Sequence, residues 1–280
     1  MMVVGKNCYG MKKWRTVVMD WSKTKTIFIA VFLILNIFLL VMFFNKDRAN
    51  QYATMKEEPV EEKLKEYNIK YEDLPNDITE AAIITAKSKS FEKKELAKLK
   101  NQQIQLSDSQ MIVYSKLQKP VKLGENKVQD IRSFVDDHVV YGKEYRYWGM
   151  DEKKKKAVFY QHVDSKKLFE NINGRLEIEL NDNGEIIKYE QRLLGQVKEN
   201  DEKETIIPAF QAVQSLYKNG FIKPNSEIAN AELGYYTVVK VTEAQVLSPT
   251  WYFKIKNNDK IERIYVNALD GTIYTNETDS

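Results

Sequence analysis

Cysteine and histidine are nearly missing from this chain. Its 280 residues include one cysteine, Cys8, and two histidines, His138 and His162. With a lone cysteine so close to the N-terminus, everything after it lacks a disulfide, a thiol nucleophile and a zinc–thiolate site. The two histidines fit neither H-E-x-x-H nor H-x3–5-H, which excludes a histidine-rich metal centre. Each reads as structural, because a general base needs a positioned nucleophile and an orienting group beside it. G-x-S-x-G, G-x-x-x-x-G-K-[ST] and G-x-G-x-x-G are absent as well. Asp136-Asp137, side by side on a helix, point to different faces and do not make an acid–base pair. The turns holding Asp182 and Asp270 lack the calcium-loop series, and turn chemistry accounts for them. No catalytic residue, metal or cofactor is expected, and the chain does not read as an enzyme.

A strong charge of one sign is missing too. The formal net charge is +3, and much of the excess sits in the first residues: Lys6, Lys12, Lys13, Arg15, Lys23 and Lys25 face only Asp20 there. The rest of the chain is nearly balanced and has no electrostatic footprint for nucleic acid.

Long apolar runs are absent with one exception. Residues 27–44, IFIAVFLILNIFLLVMFF, are apolar throughout except for Asn36. As a helix they span roughly 27 Å, enough for a hydrocarbon core of about 30 Å with snorkelling flanks. The apolar region of a signal peptide runs only about 7–15 residues and ends at a small-residue cleavage site. Here Asn45-Lys46-Asp47-Arg48 follows instead, so the run reads as an uncleaved anchor. Basic residues before it and mixed charges after it place the N-terminus in the cytoplasm and the bulk of the chain outside the cell. Trp21 would lie near the inner interface. The expected organisation is a cytoplasmic tail at 1–26 with its natural start at Met19, a transmembrane helix at 27–44 and a stalk at 45–66. Two ectodomain lobes follow, at 67–172 and 173–276.

A carboxamide in hydrocarbon costs free energy unless it finds a partner. Asn36 shares its helix face with Ile29, Phe32, Leu33, Leu39, Leu40 and Phe43. The hypothesis is that this face docks on another protein's membrane helix; the alternative is that a single uncharged Asn is simply tolerated.

The ectodomain alternates between short helical and strand patterns. Val60, Leu64 and Tyr67 make one helical stripe. Residues 81–87 and 104–106 and the run 111–114 read as strands, while 91–99 is ambiguous. Val128, Ile131, Val135 and Val139 form a second stripe, capped by Asn126. Strand-like runs at 145–148 and 157–163 flank the turn Asp151-Glu152-Lys153-Lys154-Lys155-Lys156; its four lysines suit an anionic polymer or lipid, and a solvated hairpin tip is the preferred reading. Leu176, Ile178 and Leu180 alternate, Asn183-Gly184 turns, and Ile187 and Tyr189 return. After a charged connection, Ile206, Phe210, Val213 and Tyr217 make a third stripe that stops at Gly220. Strands then follow at 233–242, 250–256 and 261–268, with a turn at Asp270-Gly271 before Ile273, and the tail 276–280 reads as disordered. Helix followed by strand, turn and strand occurs at 126–163 and again at 204–266, a loose internal repeat. The fold class is α+β, with antiparallel sheets and flanking helices.

Met19-Asp20-Trp21-Ser22-Lys23-Thr24-Lys25-Thr26-Ile27-Phe28 resembles the opening M-D-W-x-[KR]-x-K-x-I-F of the YycI (WalI) family. Trp251–Ile273, WYFKIKNNDKIERIYVNALDGTI, is similar to a PepSY-type hairpin. The first resemblance implies a single-pass regulator of the WalK/WalR two-component system of low-GC Gram-positive bacteria. It also implies a β-rich ectodomain like that of YycH, no catalytic residues, and two partners, the sensor kinase WalK and YycH, in control of cell-wall metabolism. Two other readings remain open: a PepSY-like binding module or protease inhibitor, and a surface enzyme acting on peptidoglycan or peptides, which needs a convergent polar cleft that the sequence does not show.

Overall fold

The protein is described by a computed structural model covering residues 21–52, 60–71, 74–163, 166–237, 244–258 and 260–275. Expectations for Met19, for Cys8 and for the tail at 276–280 fall outside these residues. The chain divides into two compact units, 1–59 and 60–280.

Among its described residues the first unit has one helix, α1 (Trp21–Tyr52), with no glycine or proline in it. It begins before the expected start at 27 and continues beyond the expected end at 44. The second unit is α+β and rich in strands, as anticipated. It opens with α2 (Val60–Glu66), β1 (Lys70–Tyr71) and β2 (Glu80–Ser88), followed by α3 (Lys93–Leu96). The segment 60–66, expected as the end of the stalk, is part of this fold, because Leu64 is fully buried in the core.

Among the described residues, two seven-stranded sheets follow, each covered by a helix. Sheet II is built from β3 (Gln102–Leu106), β4 (Val113–Val121), β5 (Tyr145–Asp151), β6 (Lys156–Val163), β7 (Lys166–Lys167), β8 (Arg175–Leu180) and β9 (Ile186–Gln191). Its order is β3-β4-β9-β8-β6-β5, with β7 added on β6. Helix α4 (Lys127–His138) covers one face with Ile131, Phe134 and Val135, which pack among Val113, Phe159, Leu176 and Ile178. Asn126 caps α4 as its sequence position indicates, its Oδ1 accepting from Gln129 N at 3.2 Å. The β8–β9 hairpin turns at Gly184, φ +75°. Glu179 pairs with Lys188 and Leu180 with Ile186, so the register skips Ile187, and Ile186 is fully buried instead of the expected Ile187.

Sheet I combines the two ends of the unit. It contains β1, β2, β10 (Leu194–Thr205), β11 (Glu227–Tyr236), β12 (Ala244–Asn257), β13 (Lys260–Asn267) and β14 (Ile273–Thr275), in the order β1-β11-β12-β13-β14, with β2 pairing both β10 and β12. Helix α5 (Ala209–Lys218) lies on it, burying Ala209, Ala212, Val213 and Leu216 against Trp251, Phe253 and Ile264. The Trp251 indole donates to Ile207 O at 2.8 Å, which satisfies the one polar atom of that buried ring.

The expected boundary at 172/173 does not separate the sheets. Strands β8 and β9 follow it, yet β8 pairs with β6 and β9 with β4, while β1 and β2 precede it and belong to sheet I. The charged connection expected between β9 and α5 is the strand β10, antiparallel to β2.

Side chains from both sheets meet in an aromatic cluster. Trp148 of β5 lies 5.3 Å from Tyr252 and 6.2 Å from Phe169, ring centre to ring centre. Tyr265 packs on both Phe169 and Tyr252. Polar bridges join the same regions. Buried Asn171 donates Nδ2 to Gln245 Oε1 at 2.7 Å and to Thr237 Oγ1 at 3.2 Å, while its Oδ1 accepts from Asn173 N and Gly174 N. Gln161 of β6 exchanges two bonds with the Leu194 backbone.

Candidate functional site

Helix α1 contains 32 residues, about 48 Å at 1.5 Å per residue. Within it, Lys25–Met42 is long and apolar enough to cross a membrane. Its side chains from Ile27 to Met42 are exposed on every side. A helix that is apolar all round needs an apolar environment all round, because no single stripe can be chosen for burial. One apolar N-terminal helix precedes a β-rich unit, and by length and composition that helix is a candidate membrane anchor.

The expected contact face sits on this helix. Ile29, Phe32, Leu33, Asn36, Leu39 and Leu40 are exposed, and Phe43 is helical in backbone. Asn36 Nδ2 donates to Phe32 O, one turn back, at 3.0 Å. This local bond lowers the cost of placing the carboxamide in hydrocarbon, and it is a form of the tolerated-Asn alternative.

In the second unit, the side chains singled out for chemistry hold structure together. The His138 ring lies 5.1 Å from that of Phe134, and its carbonyl accepts from Gln102 Nε2. His162 Nδ1 is 2.7 Å from Glu144 O; a carbonyl only accepts, so that nitrogen carries the proton. In the lysine-rich tip, Lys154 pairs with Asp151, Lys155 with Asp182, and Lys156 with Glu177 at 3.2 Å. The Asp270 carboxylate accepts from Thr272 N at 2.9 Å within its turn. No group of three His, Cys, Asp or Glu residues suited to an ion gathers among the described residues.

The sequence reading missed two arrangements. The first is a knot around Glu95. Its carboxylate accepts from Glu92 N at 2.9 Å, closing a capping box on α3, and also from Tyr141 Oη at 2.5 Å and Lys89 Nζ at 3.1 Å. The Glu92 amide first, and then the Tyr141 hydroxyl, hold the Glu95 carboxyl down at about 2.

The second arrangement is the face of sheet II turned away from α4. It forms a concavity of about 420 Å³ lined by side chains of β3, β4, β6, β8 and β9. Two rows cross it. Gln103, Lys116, Lys188, Glu179 and Lys156 are successive cross-strand partners, and so are Gln105, Tyr114, Glu190 and Glu177. The signal was in the sequence: polar residues alternate with the buried ones in RLEIEL and in the KYEQ end of β9. Only strand order could show which charges would become neighbours.

Among solved structures, the chain is similar to an uncharacterized protein from Eubacterium rectale (TM-score 0.42, 11% identity, covering 74% of this chain and 90% of that one). It is also similar to the Bacillus megaterium YpeB C-terminal domain (TM-score 0.43, 14% identity, 65% and 92%). A third similar structure is YycH from Bacillus subtilis (TM-score 0.40, 13% identity, 67% and 52%). No curated protein matches the chain. The family model described as YycI protein matches residues 49–269, a stretch that begins after the opening motif and spans nearly all of the second unit. The chain belongs to the YycI family.

Proposed function

We propose that this protein is a non-catalytic, membrane-anchored regulator that modulates the sensor kinase WalK through α1, together with YycH, in the control of cell-wall metabolism. Its N-terminus lies in the cytoplasm and its β-rich unit outside the cell. Family membership supports the pathway, and the observation that carries the mechanism is the stretch 27–42 of α1, exposed on every side and apolar apart from Asn36. A single spanning helix beside a kinase's own spanning helices can bias their packing between signalling states. It does so only to the extent of its differential affinity for those states. The face containing Ile29, Phe32, Leu33, Asn36, Leu39, Leu40 and Phe43 makes the contact in this reading.

The test replaces residues 27–44 with an unrelated spanning helix and reads a WalR-dependent reporter in a deletion strain. Output is expected to equal that of the deletion strain although the chimaera reaches the membrane. Output equal to that of the native protein would overturn the reading. Within the native helix, Asn36→Leu is expected to weaken co-purification with WalK about threefold, from roughly 0.6 kcal/mol per interhelical hydrogen bond. Ile34→Ala, on the opposite face, is expected to leave it unchanged.

A further inference from the structure

The concavity of sheet II is polar, but its charges are already matched. Three lysines (Lys116, Lys156 and Lys188) and three glutamates (Glu177, Glu179 and Glu190) line it. Every one of these carboxylates has an ion-pair partner. Glu177 meets Lys156 and Arg175, each at 3.2 Å, Glu179 meets Lys188 at 3.0 Å, and Glu190 meets Arg192 at 2.7 Å. Among the described residues Lys116 has no ion-pair partner, and its side chain is exposed to water. A charged ligand therefore finds no uncompensated pole beyond one solvated ammonium. An apolar ligand finds no aliphatic residue in the lining. Of its two aromatic rings Tyr189 is buried, and Tyr114 is 41% exposed. An extended peptide finds no backbone to pair with, because β4, β8 and β9 each have a neighbouring strand on both sides.

What the hollow does offer is uncharged hydrogen bonding around an exposed ring. Tyr114 stands between Gln105 of β3 and Glu190 of β9 in one cross-strand row, and Gln103 is directly opposite Lys116 in the next. Both glutamines are exposed, and each carboxamide has two donors and an acceptor oxygen. An ammonium has three donors and a carboxylate about four acceptor sites, so an ion pair leaves part of that capacity unused. The face of a phenol ring is electron-rich and attracts C–H groups. We propose that this hollow binds a short neutral oligosaccharide. A pyranose unit has the matching chemistry. Its C–H face lies on Tyr114, and its rim of hydroxyls, which both donate and accept, meets Gln103, Gln105 and the paired Lys and Glu side chains. The volume of about 420 Å³ falls within the range of about 300–1,000 Å³ usual for small-ligand sites. The inference does not depend on the signalling reading above.

The experiment uses the full chain in nanodiscs and calorimetric titration with chitotriose, a neutral trisaccharide, at low and at high salt. Saturable binding is expected, with the same affinity at both salt concentrations, since screening acts only on charge. Tyr114→Ala should weaken it about tenfold, whereas Tyr114→Phe, which keeps the ring and loses only the hydroxyl, should bind as the native protein does. Gln105→Ala, at an exposed position, should weaken binding several-fold with Tm unchanged, and this keeps the test informative should Tyr114→Ala fail to fold. No saturable binding, equal loss in both Tyr114 variants, or an affinity unmoved by Tyr114→Ala and Gln105→Ala would overturn the site. Trigalacturonate, a trisaccharide with three carboxylates, binding more tightly than chitotriose would overturn the neutral saccharide as occupant.

Discussion

Glu95 and Asn171 show what single residues contribute here. Glu95 ties three parts of the chain together: its own helix cap, Lys89 at the end of β2, and Tyr141 in the loop after α4. Its carboxyl titrates at about 2 in the folded protein and near 4.3 in an unfolded chain. A depressed carboxyl contributes stability that is fully present above the unfolded value and is lost as pH falls through the folded one. Between pH 6 and pH 3 the native protein is therefore expected to lose more stability than Glu95→Gln, whose amide does not titrate. Urea midpoints of both proteins at the two pH values check this, and parallel losses would contradict it. The capping half of the knot is a local pattern, but Tyr141 is 46 residues from Glu95. Asn171 is similar. Its turn is readable from neighbouring residues, whereas its amide partners Thr237 and Gln245 lie 66 and 74 residues away. Local rules reached Asn126 as a cap and Gly184 as a turn because those bonds close within a few residues.

At the scale of elements, the stripes and alternations that face a core were legible, and the elements without such a face were not. Helices α4 and α5 each carry an apolar stripe, and β8 alternates cleanly. Strand β10 does not: from Lys198 to Thr205 it is charged or polar, and its side chains are exposed. It is a strand because β2 pairs with it across two irregularities in register. Charge and bulges are also what keep an exposed edge from pairing with other chains. Helix α2 was legible as a helical stripe through Val60 and Leu64, but its seven residues are too few to distinguish the end of a stalk from a docked turn. Its anchor is Leu64, fully buried with Ile69, Val213 and Leu216. Leu64→Ala is expected to cost about 2–5 kcal/mol and to speed amide exchange across residues 60–71 before the rest of sheet I. Uniform exchange across the sheet would show that α2 is not a separately attached element.

At the scale of the molecule, the two sheets are joined by side chains that no local pattern connects. Trp148 packs on Tyr160 of its own sheet and on Tyr252 of the other, with the Arg263 guanidinium 5.5 Å from its ring. Trp148→Ala removes the aromatic that β5 contributes to that cluster. It is expected to cost about 3 kcal/mol and to broaden thermal unfolding, because each sheet retains its own helix-covered core. A calorimetric transition as sharp as the native one would argue that the polar bridges at Asn171 and Gln161 suffice to couple the sheets.

The sequence by itself determined the anchor-like helix, the α+β class and the family. The first two follow from apolar length and from periodicity, and the third from a resemblance carried by the motif at 19–28; all are properties of consecutive residues. Tertiary structure decided which strands share a sheet, where the two sheets divide, and that Lys116 faces Lys188 while Glu190 faces Glu177. Those outcomes depend on strand order, and strand order is set by the burial of side chains far apart in the chain.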